Sequence, residues 1–209
     1  MSRTRQASPP PKAERSTGPR TADQILDSAE RLVQQRGFNG FSYADVASEL
    51  DLTKASLHYH FAGKAELGEA LISRYALRFA QALTDIDAQA IDVREKLAAY
   101  AGLYATVVHG ERMCLCGMLA AEYQTLPEAM RDAVVRFFDV NEEWLEGVLE
   151  QGRRDGTLSY RASAREAARS IVSGLEGAML MAQTYGDFAR FEVAADRLLA
   201  DLAGVSLPS

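Results

Sequence analysis

From Thr21 onward the apolar residues of this chain return at three- and four-residue spacings. Ile25, Leu26, Ala29, Leu32 and Val33 form one stripe, the signature of an amphipathic α-helix. Alternating β-branched runs bounded by hairpin turns are absent, and Asn39-Gly40 sits between two helical patterns, so it reads as a loop. The expected fold class is therefore all-α. Thr21 with Gln24 makes a capping-box pattern at the start of the first helix, and Gly37 suits its left-handed end. Ser42 with Asp45 reads as a second cap, Asp51 as a break that tolerates left-handed geometry, and Thr53 as the cap of a short third helix ending near Phe61. Ala62-Gly63 then precedes a fourth. Longer helices are expected near 64–87, 92–109, 113–122, 127–154, 161–185 and 188–204, with breaks at Asp92, Gly110, Leu126-Pro127, Asp155-Gly156 and Gly186-Asp187.

The net charge of the 209-residue chain is -6, which taken alone argues against a nucleic-acid partner. Its distribution argues otherwise. Residues 1–20 carry Arg3, Arg5, Lys12, Arg15 and Arg20 against Glu14, and residues 1–64 hold nine basic and seven acidic side chains. The remainder holds 14 basic and 22 acidic ones. A basic end on an acidic body directs one end at a polyanion. Ser8-Pro9-Pro10-Pro11 and Ser16-Thr17-Gly18-Pro19 predict a basic arm without fixed structure. No apolar run approaches the roughly 20 residues of a membrane helix, and the polar N-terminus has no secretion-signal core. Cys114 and Cys116 are too few for a disulfide scaffold. The expected location is cytoplasmic.

Residues 42–61 are two short helices joined by about three residues. In that helix-turn-helix arrangement the second helix lies in the DNA major groove. The series Gly37-Phe38-Asn39-Gly40-Phe41-Ser42-Tyr43-Ala44-Asp45-Val46-Ala47, then Leu52-Thr53-Lys54-Ala55-Ser56-Leu57-His58-Tyr59-His60-Phe61, then Lys64-Ala65-Glu66-Leu67 closely resembles the N-terminal domain of the TetR family of bacterial repressors. The match spans about residues 21–70. It departs at His58, where the family usually has Tyr, and at Asp51, where it usually has Gly. The resemblance implies a basic arm over 1–20, a helix-turn-helix DNA-binding domain over 21–67, and a helical effector-binding and dimerisation domain over 68–209.

Residue chemistry assigns the DNA face. Ser42 and Tyr43 open the second helix, where hydroxyls and free N–H groups suit a phosphate. Lys54 and Ser56 stand at the start of the recognition helix, within reach of base edges. His58, Tyr59 and His60 are further candidate contacts, and Lys64 is a point charge for phosphate. Leu57 and Phe61 read as core.

One such unit covers one half-site, so a homodimer on a pseudo-palindromic operator is expected. Small residues Ser170, Ser173, Gly174, Gly177 and Ala178, with Met181, would let a partner helix approach. The final helix presents Phe191, Val193, Ala194, Leu198, Leu199 and Leu202. In the resembling family these two helices pair with their counterparts as a four-helix bundle. The middle helices should enclose a small, largely apolar effector. Candidate lining residues are Tyr104, Val108, His109, Met113, Cys116, Met118, Leu119, Tyr123, Phe137, Phe138, Trp144, Met179 and Tyr185. Cys114 and Cys116 suggest an alternative thiol sensor, activated by Arg112 and a nearby helix N-terminus. A regulator that activates without an effector is the other alternative.

An enzyme is excluded on motif grounds. The histidines are His58, His60 and His109, no zinc or di-iron motif occurs, and no phosphate loop or nucleophile elbow is present. No cofactor and no metal are expected.

Overall fold

The computed structural model describes residues 19–90 and 92–202; the basic arm expected over 1–20 lies almost wholly outside them. The described residues form nine α-helices: α1 (Pro19–Arg36), α2 (Tyr43–Glu49), α3 (Lys54–His60), α4 (Lys64–Gln89), α5 (Val93–His109), α6 (Leu115–Ala121), α7 (Glu128–Asp155), α8 (Ala164–Tyr185) and α9 (Ala189–Leu202). A single 3₁₀ turn spans Tyr123–Thr125, and no strand occurs among the described residues. Among the described residues no helix is long and apolar enough to cross a membrane.

Local chemistry explains most boundaries. Gly37 ends α1 at φ 80, and Asp51 takes φ 51 in the α2–α3 turn. The Asp45 carboxylate accepts from the Ser42 N–H and hydroxyl at 2.7 and 2.6 Å, which holds its pKa below the usual range. Thr53 Oγ1 accepts from the Ser56 N–H at 3.1 Å, and Asp92 from the Glu95 N–H at 2.9 Å. One expectation shifts. Helix α1 begins at Pro19, two residues before the expected cap, so Thr21 is a buried residue inside the helix. Proline is favoured at a first helical position because its missing donor has no partner there. At the end of α5 the left-handed residue is Glu111, at φ 54, and Gly110 keeps a negative φ.

The apolar stripe of α1 is buried with Val46, Leu57 and Phe61, so α1–α3 close around one small core. Burying each such side chain contributes about 1.5–3 kcal/mol. Arg31 pairs with Glu49, fixing α2 to α1; that bond holds the Glu49 carboxyl below its usual pKa. Helix α4 leaves this unit and runs along the body. Its Arg74 pairs with Asp27 at 2.8 Å and Glu30 at 2.9 Å, and Arg78 also pairs with Glu30, so α4 is tied back to α1. Gly68 marks the closest approach: a Cβ there would lie 2.6 Å from Met130 Sδ and 2.9 Å from the Phe38 ring. In the body, α7 packs on α4, α5 and α8, and α8 packs on α9. A buried polar ladder crosses it. Tyr100 donates to Asn141 Oδ1 at 3.2 Å, its hydroxyl lies 3.2 Å from that of Tyr104, and Asn141 Nδ2 donates to the Phe137 carbonyl at 2.7 Å.

Candidate DNA-binding face and effector cleft

Helix α3 has one buried residue, Leu57, facing the core. The opposite stripe, Lys54, Ala55, His58 and Tyr59, is exposed, and Tyr59 reaches 76%. This is the face a recognition helix needs, because base edges can meet only side chains that point away from the supporting core. Ser56 is half-buried at the N-terminal end. The His58 ring packs 4.9 Å from that of Tyr43, and its Nδ1 lies 3.0 Å from the Ala62 carbonyl. His60 lies edge-on to Tyr59 at 5.2 Å, with its Nε2 buried and unpartnered.

Three further candidate DNA contacts also have intramolecular partners. The Ser42 hydroxyl donates to Asp45, and Tyr43 donates its hydroxyl to the Phe61 carbonyl at 3.0 Å, closing α2 onto the end of α3. Burial pushes the Tyr43 phenol up to about 12. The Lys64 ammonium donates to the Phe41 carbonyl and stands over the Phe38 and Phe41 rings, 4.7 and 4.3 Å from their centroids. Burial lowers its pKa, against the Glu122 and Asp45 carboxylates, which raise it. It props the loop between α1 and α2 as well as offering charge at the surface.

A cleft of about 840 Å³ lies between α4 and α7. Ala76, Leu77, Phe79, Leu83, Ala133, Phe137 and Val140 give it an apolar wall; Glu66, Glu69, Asp132 and Arg136 supply charge. The expected lining lies mostly apart from this cleft. Among the nominated residues only Phe137 faces this cleft. Tyr104, Val108, Met113, Cys116, Leu119 and Met179 are buried core. Trp144 stacks on Tyr100 at 5.6 Å and donates to Asp87 at 2.9 Å. Tyr123 lies beneath Arg131, and His109 is exposed beside Phe188 and Glu192. Leu77 and Val140 were not nominated, although they are 70% and 50% exposed and stand out for that reason. Leu77 lies on the far side of α4 from its buried stripe, whereas Val140 flanks the buried stripe of α7 beside Phe137.

The thiols behave oppositely to the expectation that Arg112 would activate them. Arg112 donates to Gln34 at 3.4 Å. Both cysteines are buried and unpaired, and burial pushes both well above the ordinary thiol pKa.

On α8, Ser170, Ser173, Gly177, Leu180, Met181 and Tyr185 are exposed along one stripe, and Val193 on α9 is 69% exposed beside it. A second groove, of about 740 Å³, runs between these helices. The remaining interface candidates are engaged within the chain: Ala178 and Leu202 are buried, and Gly174 lies against Leu198, where a Cβ would come within 2.9 Å of Cδ2.

Comparison with known proteins gives matches over nearly all of this architecture. Residues 25–71 match the model for bacterial regulatory proteins of the tetR family, and residues 93–198 that for a tetracyclin repressor-like C-terminal domain. The crystal structure of a TetR-family transcriptional regulator from Agrobacterium tumefaciens is similar at a TM-score of 0.86 with 32% identity, covering 89% of this chain and 100% of that one. A TetR transcriptional regulator from Legionella pneumophila is similar at a TM-score of 0.80 with 34% identity, covering 87% and 97%. The HTH-type transcriptional repressor NemR of Escherichia coli is 28% identical over 176 residues, 82% of this chain and 88% of that protein.

Proposed function

Because the chain belongs to the TetR family of bacterial regulatory proteins, we propose that it is a ligand-responsive transcriptional repressor. Regulators of this family are DNA-binding transcription factors, not enzymes; they bind operator DNA and small-molecule effectors, typically as dimers. In this reading the chain is a cytoplasmic homodimer. It holds a pseudo-palindromic operator and releases it when a small, largely apolar effector enters the C-terminal body. The observation that carries the reading is the exposed stripe Lys54, Ala55, His58 and Tyr59, carried on a capped helix whose other side is core.

Roles follow from position. Lys54, Ser56 and Tyr59 read bases, with His58 and His60 alongside. Ser42, Tyr43 and Lys64 hold the loop and offer their remaining donors to phosphates. The DNA-binding domain spans 21–67 after an arm at 1–20, and the effector and dimerisation domain spans 68–209. The α4–α7 cleft takes the effector; about 840 Å³ is within the range of small-molecule sites. Its occupant changes the tilt of α4, which forms one wall and runs on from the DNA-binding unit, and so the spacing of the two recognition helices. The ligand shifts this equilibrium only by its differential affinity for the two states. The exposed face of Ser170, Ser173, Gly177, Met181 and Val193 meets its copy across the twofold axis.

The test is selection of duplexes from a randomised pool by the purified protein. Recovery of an inverted repeat with half-sites about one helical turn or a multiple apart is expected. Recovery of no preferred sequence defeats the reading. A reporter placed behind the selected duplex separates repression from activation.

A further inference from the structure

Helix α6 has only seven residues, and a glutamate stands near each end. At the far end Glu122 accepts from the Phe38 N–H at 2.5 Å and the Asn39 N–H at 3.2 Å. Asn39 Nδ2 donates to Thr125 at 2.8 Å, and the Met113 N–H to the Gln34 carbonyl at 3.2 Å. These bonds bind the α6 segment to the end of α1 and to the loop that carries Phe38 and Phe41, the two rings under Lys64. A shift of α6 is therefore felt at the start of α4.

At the near end the Glu176 carboxyl of α8 lies against Gly117, so close that a Cβ there would overlap it. Both its oxygens are buried, and the one donor beside them is the weakly donating thiol of Cys114. The titratable groups facing it are Tyr75 of α4, Tyr100 and Tyr104 of α5, and Cys114 and Cys116 at α6. Burial pushes all five up, so they stay neutral between pH 6 and 8. Among the described residues no basic side chain acts on the carboxyl. A buried carboxylate with only a thiol for a donor and no counter-charge is costly, and protonation relieves that cost.

We propose that α6 is a proton-linked lever: Glu176 senses the proton at one end, and Glu122 transmits the position of the helix to the DNA-binding unit at the other. The proposal rests on the operator-binding reading above. Burial raises the Glu176 carboxyl from its ordinary 4.5 to about 7, with the neighbouring Cys114 pulling it slightly down. The seated position of α6 is thus fully favoured below the ordinary value, and that preference is lost as pH rises through about 7. Operator binding weakens in the same direction, and linkage limits the change between pH 6 and 8 to about tenfold.

The test compares wild type with Glu176→Gln on the duplex that the wild type selects, at pH 6, 7 and 8 and constant ionic strength. Wild-type Kd should rise several-fold more than that of Glu176→Gln across this range. The side chains of α3 are the same in both proteins, so the difference isolates Glu176. Parallel pH profiles overturn the proposal. Glutamine also leaves polar atoms unpartnered, so a second measurement uses wild type and Glu122→Gln. Hydrogen exchange at the Phe38 and Asn39 amides, corrected for the intrinsic rate, should lose protection several-fold in wild type between pH 6 and 8, and the pH effect should vanish in Glu122→Gln. Protection that does not vary with pH, or an effect that persists without Glu122, overturns the lever. If no duplex is selected, the operator reading has failed, and the exchange data still judge the lever.

Discussion

The ammonium of Lys64 stands 4.3 Å above the ring of Phe41 and donates to the carbonyl of the same residue. One side chain at the head of α4 thereby fixes the loop that leads into α2. Lys64→Ala should lower stability by about 1.5–3 kcal/mol, the range for a hydrogen bond involving a charged group. Denaturant midpoints would measure it. A variant with wild-type stability would return Lys64 to a purely surface role.

Lys54 and Tyr59 make no such tie. Tyr59 is 76% exposed, and Lys54 lies on the same open stripe. Lys54→Ala and Tyr59→Ala should each weaken operator binding about tenfold or more, as loss of a base contact does, with stability changed by less than about 0.5 kcal/mol. Gel shifts at one fixed salt concentration decide this. Wild-type affinity in both variants would remove α3 as the reading helix.

The α4–α7 cleft should take up a neutral apolar probe such as N-phenyl-1-naphthylamine. Leu77 and Val140 stand in its open wall, so Leu77→Asp and Val140→Asp should leave the fold intact. Probe affinity should fall about tenfold in each, from the lost apolar contact. Fluorescence titration checks it; unchanged affinity in both would move the site elsewhere.

No atom lies within 4 Å of a Cβ built on Gly177, so an arginine there fits the isolated chain. Across a twofold axis it would collide with its partner helix. Gly177→Arg should therefore give a folded monomer by light scattering, and a persistent dimer would show that another face is used.

Cys114 and Cys116 are buried, and their raised pKa keeps them protonated across the neutral range. Iodoacetamide at pH 7.5 should modify neither thiol of the folded protein on the minute timescale. Rapid labelling followed by mass spectrometry would revive the thiol-sensor alternative.

Helix caps and turns were legible because their chemistry is local: Thr53, Asp92, Asp51 and Gly37 each act on backbone within a few residues. The exposed side of α3 was legible because Leu57 and Phe61 leave only one side of it free. The cleft was not. Helical spacing says that Tyr104 and Met179 are buried but not what they are buried against, whereas Leu77 and Val140 read as incidental surface residues. Glu176, between Leu175 and Gly177, looks in sequence like any solvated glutamate. Its isolation comes from Tyr75 and Cys114, which are distant in the chain. Nothing near Glu122 hints that it reaches back to Phe38, 84 residues away.

Gly68 places Met130 and Phe38 against the same turn of α4, so the seam between reading head and body is a packed joint rather than a hinge. Heads exchanged between related regulators by cutting after residue 67 would leave Phe38 facing a foreign thioether. A working chimera has to carry residue 130, and the carboxylate at 122, across with the head it receives.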